Sequence, residues 1–330
     1  MTSALPSLNC FKSPRVKSLV AAVLVLPVLP GFSTHAYAGS RIVSWGDFQT
    51  NRIVGPAQSI QWVTQIAAGD WHTLILQRNG QVLAWGDDRF GQTDLPAALN
   101  SSRVLQIAAG NVHSLALTSR GNVIAWGDYG NYGLDAVPPG LNRVIAVAAG
   151  AAHSLALKRD GTVVAWGLDG NGQCDVPAGL DDVIAVAGGM YHSLALRSDG
   201  TVVAWGDDTL GQTDVPAGLN GVAAIAAGGF HSLALKRDGT VVSWGLCGLI
   251  HVDVPAGLSG VVAIATGDYH SVALKRDGTI VSWGLDFNGQ CDAPAGLNHV
   301  VSVAARGNHT MALVNDHPAA SFRIPLSLLH

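Results

Sequence analysis

The sequence predicts an all-β fold, a seven-bladed β-propeller of roughly 39-residue repeats closed by its own N-terminal strand. Three observations predict it. Seven Trp-Gly pairs recur, at Trp45, Trp85, Trp126, Trp166, Trp205, Trp244 and Trp283. Seven histidines recur with them, at His72, His113, His153, His192, His231, His270 and His309, the first six each 13 residues before the next Trp. Such a period means a solenoid or a propeller. The phase then chooses between them: the chain opens on a Trp-Gly segment lacking its His and ends on a His segment lacking its Trp-Gly. Two half-units that sum to one blade are what a closed ring requires.

Residues 1–38 read as a secretory signal peptide. Lys12, Arg15 and Lys17 form a basic leader, an apolar run follows from Ser18, and Ala36-Tyr37-Ala38 supplies small residues for cleavage. Removing three positive charges and no acid takes the formal charge from −4 to −7. That balance argues against a phosphate-binding surface and so against nucleic acid. Every acid is aspartate. Three cysteines remain beyond the leader, Cys174, Cys247 and Cys291, odd in number and in separate repeats, so no disulfide framework is expected. Residues 39–314 are assigned to the propeller and 315–330 to a non-repeat tail.

The copy at Val222 to Gly257 shows each element in order. Val222-Ala-Ala-Ile-Ala-Ala-Gly228 is an apolar inner strand, A. His231-Ser-Leu-Ala-Leu235 is strand B, and Lys236-Arg-Asp-Gly239 a hairpin whose Asp-Gly suits positive φ. Thr240-Val-Val-Ser-Trp244 is strand C, β-branched and aromatic. A fourth strand, D, is expected to end at Pro255, proline being tolerable on an edge. The fixed His-to-Trp spacing is that of a hairpin in fixed register. Arg41 to Trp45 supplies strand C of a blade whose A and B are Val300–Ala304 and His309–Leu313. The seven Trp and seven His are assigned to the scaffold, each imidazole bonding a neighbouring turn. Each buried indole removes about 150–250 Å² from water, worth at most about 4–6 kcal/mol.

Antiparallel order puts the A–B and C–D loops on one face and the B–C hairpins on the other. The hairpins carry mixed charge, as in Lys158-Arg159-Asp160 and Lys236-Arg237-Asp238. The opposite face carries aromatics: Trp71, Tyr191, Phe230 and Tyr269 in A–B loops, and Phe48, Phe90, Tyr129, Tyr132 and Phe287 in C–D loops. Asp70, Asp87, Asp88, Asp128, Asp207, Asp208 and Asp268 are interleaved with them. Equivalent A–B positions hold Val112, Ala152 and Asn308, so the scaffold does not require an aromatic there. Aromatics of this kind anchor protein interfaces. Asp169-Gly-Asn171-Gly and Asp286-Phe-Asn288-Gly lack the closing glutamate of a calcium loop and read as turns. No nucleophile elbow, zincin, P-loop or paired-Cys motif is present. No metal, cofactor or catalytic residue is assigned.

The consensus Val-x-x-Ile-Ala-Ala-Gly-x-x-His-Ser-Leu-Ala-Leu-Lys-x-Asp-Gly-x-Val-x-Ala-Trp-Gly, nearly complete at 222–245, resembles the regulator-of-chromosome-condensation repeat over about residues 40–314. WD repeats have a similar period but carry Trp-Asp. Within the family, the short blades and the Gly-Gln-Thr-Asp-Val-Pro loop resemble the propeller-type β-lactamase inhibitory proteins of bacteria. That resemblance implies a target clamped by loop aromatics, here Trp71, Phe90, Tyr129, Tyr191, Phe230 and Tyr269. Val112, Ala152 and Asn308 depart from it.

The expectation is therefore a secreted or periplasmic, monomeric, non-enzymatic propeller that binds another protein, β-lactamase-like or of the envelope, with no stable membrane span. Carbohydrate or cell-surface adhesion is the alternative, because stacking rings beside aspartates also suit sugars. GTPase exchange is a weaker one, since an exported chain would not meet that substrate.

Overall fold

The computed structural model describes residues 40–46, 60, 62–128, 132–246 and 253–315. Its strands form seven three-stranded antiparallel sheets, each ordered A–B–C. Blade 1 consists of Val63–Ala68, His72–Gln77 and Val82–Gly86. Blade 2 is Val104–Ala109, His113–Thr118 and Val123–Gly127, and blade 3 is Val144–Ala149, His153–Lys158 and Val163–Gly167. Blade 4 is Val183–Gly188, His192–Arg197 and Val202–Gly206, and blade 5 is Val222–Ala227, His231–Lys236 and Val241–Gly245. Blade 6 is Val261–Thr266, His270–Lys275 and Ile280–Gly284. Blade 7 joins Val300–Arg306 and His309–Asn315 to the N-terminal strand Ser40–Gly46.

Strands A of consecutive blades lie against one another, and that of blade 7 lies against that of blade 1, so the inner strands close a ring. The closing pair runs in register from Ser40 opposite Asn315 to Gly46 opposite His309. Pairing the first strand with the last removes the free edge that either would otherwise expose.

Local chemistry explains each blade. Gly239 sits at φ +82° in the B–C hairpin, a conformation that L side chains avoid. The Asp238 carboxylate accepts from the Thr240 N–H at 2.9 Å and from its hydroxyl at 2.6 Å, fixing the turn. Every strand A carries a bulge near its start, as between Val222 and Ala224, which increases the twist of the blade. Period-two alternation then gives strand B two unlike faces. Leu233 and Leu235 of blade 5 pack on Ile264, Ala273 and Trp283 of blade 6, while Ala234 faces Leu194 and Leu196 of blade 4. The core therefore lies in seams between blades, large side chains of one against small ones of the next.

The expected fourth strand is not formed in the described residues, which take turns there instead. Gln92, Gln173, Gln212 and Gln290 explain this. Each is buried, and its side-chain oxygen accepts the N–H of the residue two before it, at 2.9 Å in every case. The aspartate that opens each loop adds a second tie: Asp88, Asp169, Asp208 and Asp286 accept the N–H of Thr93, Cys174, Thr213 and Cys291 at 2.7–2.9 Å. Asp169 and Asp286 thus serve as turn formers. Side chains have taken the backbone donors that a ladder would need. Among the described residues no helix is long and apolar enough to cross a membrane.

Candidate partner-binding face

The face is built on a clasp that repeats around the ring. His231 shares its side of strand B with Leu233, so it points at blade 6, where its Nε2 lies 2.9 Å from the Ser271 hydroxyl. His72, His113, His153 and His192 reach Ser114, Ser154, Ser193 and Ser232 in the same way at 2.9–3.0 Å, and His270 reaches Thr310 at 2.9 Å. The partner is thus a hydroxyl of the next blade, not the neighbouring turn that the sequence suggested, because alternation aims the ring across the seam. That hydroxyl donates onward to a loop carbonyl: Ser232 to Gln212 at 2.9 Å, Ser193 to Gln173 at 2.8 Å, Ser114 to Gln92 at 2.9 Å. The same carbonyls accept the indole N–H of Trp244, Trp205 and Trp126 at 2.9–3.0 Å.

Trp45, Trp126, Trp166, Trp205, Trp244 and Trp283 are buried, as a scaffold role requires. Trp85 is half-buried at the seam between blades 7 and 1, beside Met311 and Leu313. All seven strand-B histidines are buried, and burial lowers their pKa, to about 3 for His72, His153, His192 and His270 and to about 4 for His231 and His309. For His113 burial also lowers it well below the usual value. They are neutral hydrogen-bonding groups. Among the described residues no cluster of three or more His, Cys, Asp or Glu side chains is placed to hold a metal. Cys174 and Cys291 are free, with burial pushing their thiols up to about 12. Such thiols are poor nucleophiles.

Blade 7 breaks the pattern at a residue that sequence reasoning missed. In six blades a glycine directly follows strand A: Gly69, Gly110, Gly150, Gly189, Gly228 and Gly267. A Cβ at any of these would overlap the histidine ring of its own blade. Blade 7 has Arg306 at that position, and His309 cannot take the common orientation. Its Nε2 has no hydrogen-bond partner, and the Thr73 hydroxyl it would have met donates instead to Met311 Sδ at 3.5 Å.

Arg306 supplies a different tie. Fully buried at the hub, it donates from Nε to Asp70 at 3.2 Å, from Nη1 to the Ala109 carbonyl at 3.0 Å and from Nη2 to the Gly150 carbonyl at 3.1 Å. One side chain thereby spans blades 7, 1, 2 and 3. Burial raises the Asp70 carboxyl although Arg306 pulls it down, and burial lowers Arg306 although Asp70 and Asp268 oppose the change. Both partners show that desolvation exceeds their mutual attraction, the ordinary case for a buried ion pair. The signal was available in the sequence, where Ala-Ala-Arg replaces the repeating small-residue-then-glycine ending.

Around this hub the A–B loops are stitched into a rim. Asn111 N–H donates to Ala151 at 3.1 Å, Ala151 to Gly189 at 3.0 Å, Met190 to Gly228 at 3.2 Å and Asp268 to Gly307 at 3.0 Å. On that rim three of the candidate residues come together. Phe230 and Tyr269, from blades 5 and 6, stack with centroids 5.4 Å apart and planes at 26°. Tyr191 and Phe230 pack with Ala151, Ala152 and Met190. All three rings are half-buried. Burial, then Asp207, Tyr132 and Asp268, hold the Tyr191 hydroxyl above its usual range, and burial with Asp268 and Tyr191 does the same for Tyr269. Trp71 and Phe90 are half-buried on blade 1, and Phe287 is 87% exposed beyond blade 6, so these stand outside the cluster. Tyr129, like Phe48, lies outside the described residues.

The model of the regulator of chromosome condensation (RCC1) repeat matches residues 63–92, 104–133, 144–173, 183–212, 222–246 and 261–290. No curated protein matches the chain. Among solved structures, Prp20p of Saccharomyces cerevisiae is 21% identical, with 87% of this chain and 94% of that one covered at a TM-score of 0.70; its structure is described together with binding to Gsp1p and histones. Human WBSCR16 is 20% identical over 84% of this chain and 99% of its own, at a TM-score of 0.65. The CRINKLY ectodomain of the Arabidopsis thaliana receptor kinase ACR4 is 21% identical over 73% and 88%, at 0.59. At these identities the likeness is one of fold. Each family match starts on strand A and takes in the strand-B histidine and the Trp-Gly, the clasp just described, and the chain belongs to the RCC1 repeat family.

Proposed function

We propose that this chain is an exported, non-enzymatic propeller that binds another protein through the aromatic and acidic mouth of its ring, centred on blades 4 to 6. The observation that supports the reading is the stacked Phe230–Tyr269 pair beside Tyr191. Three successive blades keep half-exposed rings where blades 2, 3 and 7 manage with Val112, Ala152 and Asn308. Rings that the scaffold does not need, held on a rim of backbone hydrogen bonds, are preorganised, which lowers the ordering cost of association. Inhibition of a β-lactamase-like enzyme is the finer form of this reading, supported by the short blades and the Gly-Gln-Thr-Asp-Val-Pro loop.

Affinity capture from the native envelope tests it. The mature protein is expected to retain a partner that a Trp71/Phe230/Tyr269→Ala variant of unchanged melting temperature loses. Equal capture by both removes the reading. Titration of a purified penicillinase and a glycan array separate enzyme inhibition from sugar binding. Export is tested by fractionation and N-terminal sequencing, with a mature start near Gly39 expected.

A further inference from the structure

We infer that the trough of Tyr191, Phe230 and Tyr269, bordered by Tyr132 and Asp207, receives a cationic side chain, arginine or lysine, from a basic segment of the partner protein. This rests on the reading of the mouth as the binding face and adds the chemistry that it selects.

Geometry comes first. Phe230 and Tyr269 are stacked at 5.4 Å, and Tyr191 shares an apolar cluster with Phe230 and Met190. Three blades therefore present one continuous aromatic wall, with Tyr132 of the blade 2 C–D loop, near Tyr191, half exposed to solvent. The faces of such rings carry negative quadrupole potential and attract ammonium and guanidinium groups, more strongly as water is excluded.

Charge comes second. Half-buried Asp207 accepts from the Thr209 hydroxyl at 3.0 Å and from the Gln212 amide at 2.8 Å, both neutral donors. Exposed Asp208 adjoins it, while Asp268, directly before Tyr269, is buried and also faces the charge of Arg306. In the A–B loops and the first turns of the C–D loops, the surface cation among the described residues is Arg89, already bound to Asp87 at 2.8 Å on blade 1. Arg306 is buried at the hub. Among the described residues the trough is thus an acidic, electron-rich surface with no lysine or arginine of its own beside it. The opposite face differs: its hairpins pair their own lysines with aspartates, as Lys158 with Asp160 at 3.0 Å.

Chemistry argues for delivery by a protein. The wall is open on its solvent side, so a small free cation would stay hydrated there. A cation carried on a docking surface is desolvated when that surface closes over the rings. Carboxylates at the rim then add directional, charge-assisted hydrogen bonds.

The test is to pan a random peptide library on the whole mature protein and measure the selected peptides by calorimetry. The expected result is binders rich in arginine or lysine that lose affinity for Tyr191→Ala and Tyr269→Ala. Replacing the cation by citrulline or norleucine should weaken them roughly tenfold, and Asp207→Asn several-fold. Asp207→Asn at unchanged melting temperature guards against an unfolded tyrosine variant. Peptides that still depend on Tyr191 and Tyr269 but tolerate citrulline and norleucine overturn the cation inference and leave the docking face standing. Peptides indifferent to both tyrosines, or a selection that returns no binder, overturn both.

Discussion

Acidification is expected to unfold the ring at a pH set by its buried imidazoles. In the native state burial holds six of the seven strand-B histidines to pKa values of about 3 or 4, and His113 well below its usual value. In the unfolded chain each returns to the ordinary 6.5. The unfolded state therefore binds more protons throughout the interval between these values. Stability from this source is complete near pH 7, is lost as pH falls below 6.5, and stops falling only near the native values. At pH 5.5 each imidazole favours unfolding by roughly 1–2 kcal/mol, and seven together by on the order of 10 kcal/mol. Asp70 acts in the opposite sense, since burial raises its carboxyl and protonation below about 6 relieves the hub, but it is one group against seven. With about 5–15 kcal/mol of stability to lose, the ring should unfold with a midpoint at roughly pH 5–6. Urea unfolding followed by tryptophan fluorescence at graded pH measures this. Near pH 5.5 the slope should correspond to uptake of about six protons, or about 8–9 kcal/mol per pH unit. A His192→Gln variant should lower that count by about one. A midpoint below about pH 4, or a slope of one or two protons, would refute the account of the histidines as buried neutral clasps.

Three further outcomes follow from the seams and the hub. Arg306→Ala should cost about 3–5 kcal/mol in urea because it leaves Asp70 buried without its counter-ion, and Asp70→Asn in the same chain should recover part of the loss. Absence of recovery would show that the pair is not what holds the hub. Trp205→Ala should cost about 3–5 kcal/mol while leaving the affinity for any captured partner unchanged in the surviving folded fraction. Gly228→Ala places a Cβ 2.5 Å from His231 Cε1 and should cost about 1–3 kcal/mol by displacing the ring from Ser271. Gly257→Ala has open space around its Cβ and φ +79°, so it isolates the backbone penalty from the clash.

The repeat, the strand order A–B–C and the closing role of residues 41–45 were legible because each depends on local periodicity. A two-residue alternation and a fixed His-to-Trp interval report on a hairpin whatever surrounds it. Strand D was misjudged because Gln92 and its equivalents look like exposed loop residues in sequence, yet they are buried by satisfying the loop's own N–H groups. The histidine's partner was missed for a related reason. Ser232 follows His231 immediately, but the bond joins His231 to Ser271, about one repeat away, and only stacking of blades brings the two together. On the binding face, loop position identified Tyr191, Phe230 and Tyr269, while their gathering into one trough depended on which blades are neighbours. Trp71, Phe90 and Phe287 met the same sequence criterion and lie apart from it.

Seven near-interchangeable repeats pose a counting problem, since tandem copies are prone to gain or lose a unit and a ring of similar blades has no local means of knowing its own number. Arg306 occurs once and must find a carboxylate one blade onward and carbonyl oxygens two and three blades onward. Its reach ties four of the seven blades at the hub. A copy with a unit more or fewer would move those acceptors and leave a buried guanidinium without them, so the odd residue of the last repeat acts as a tally mark for the whole ring.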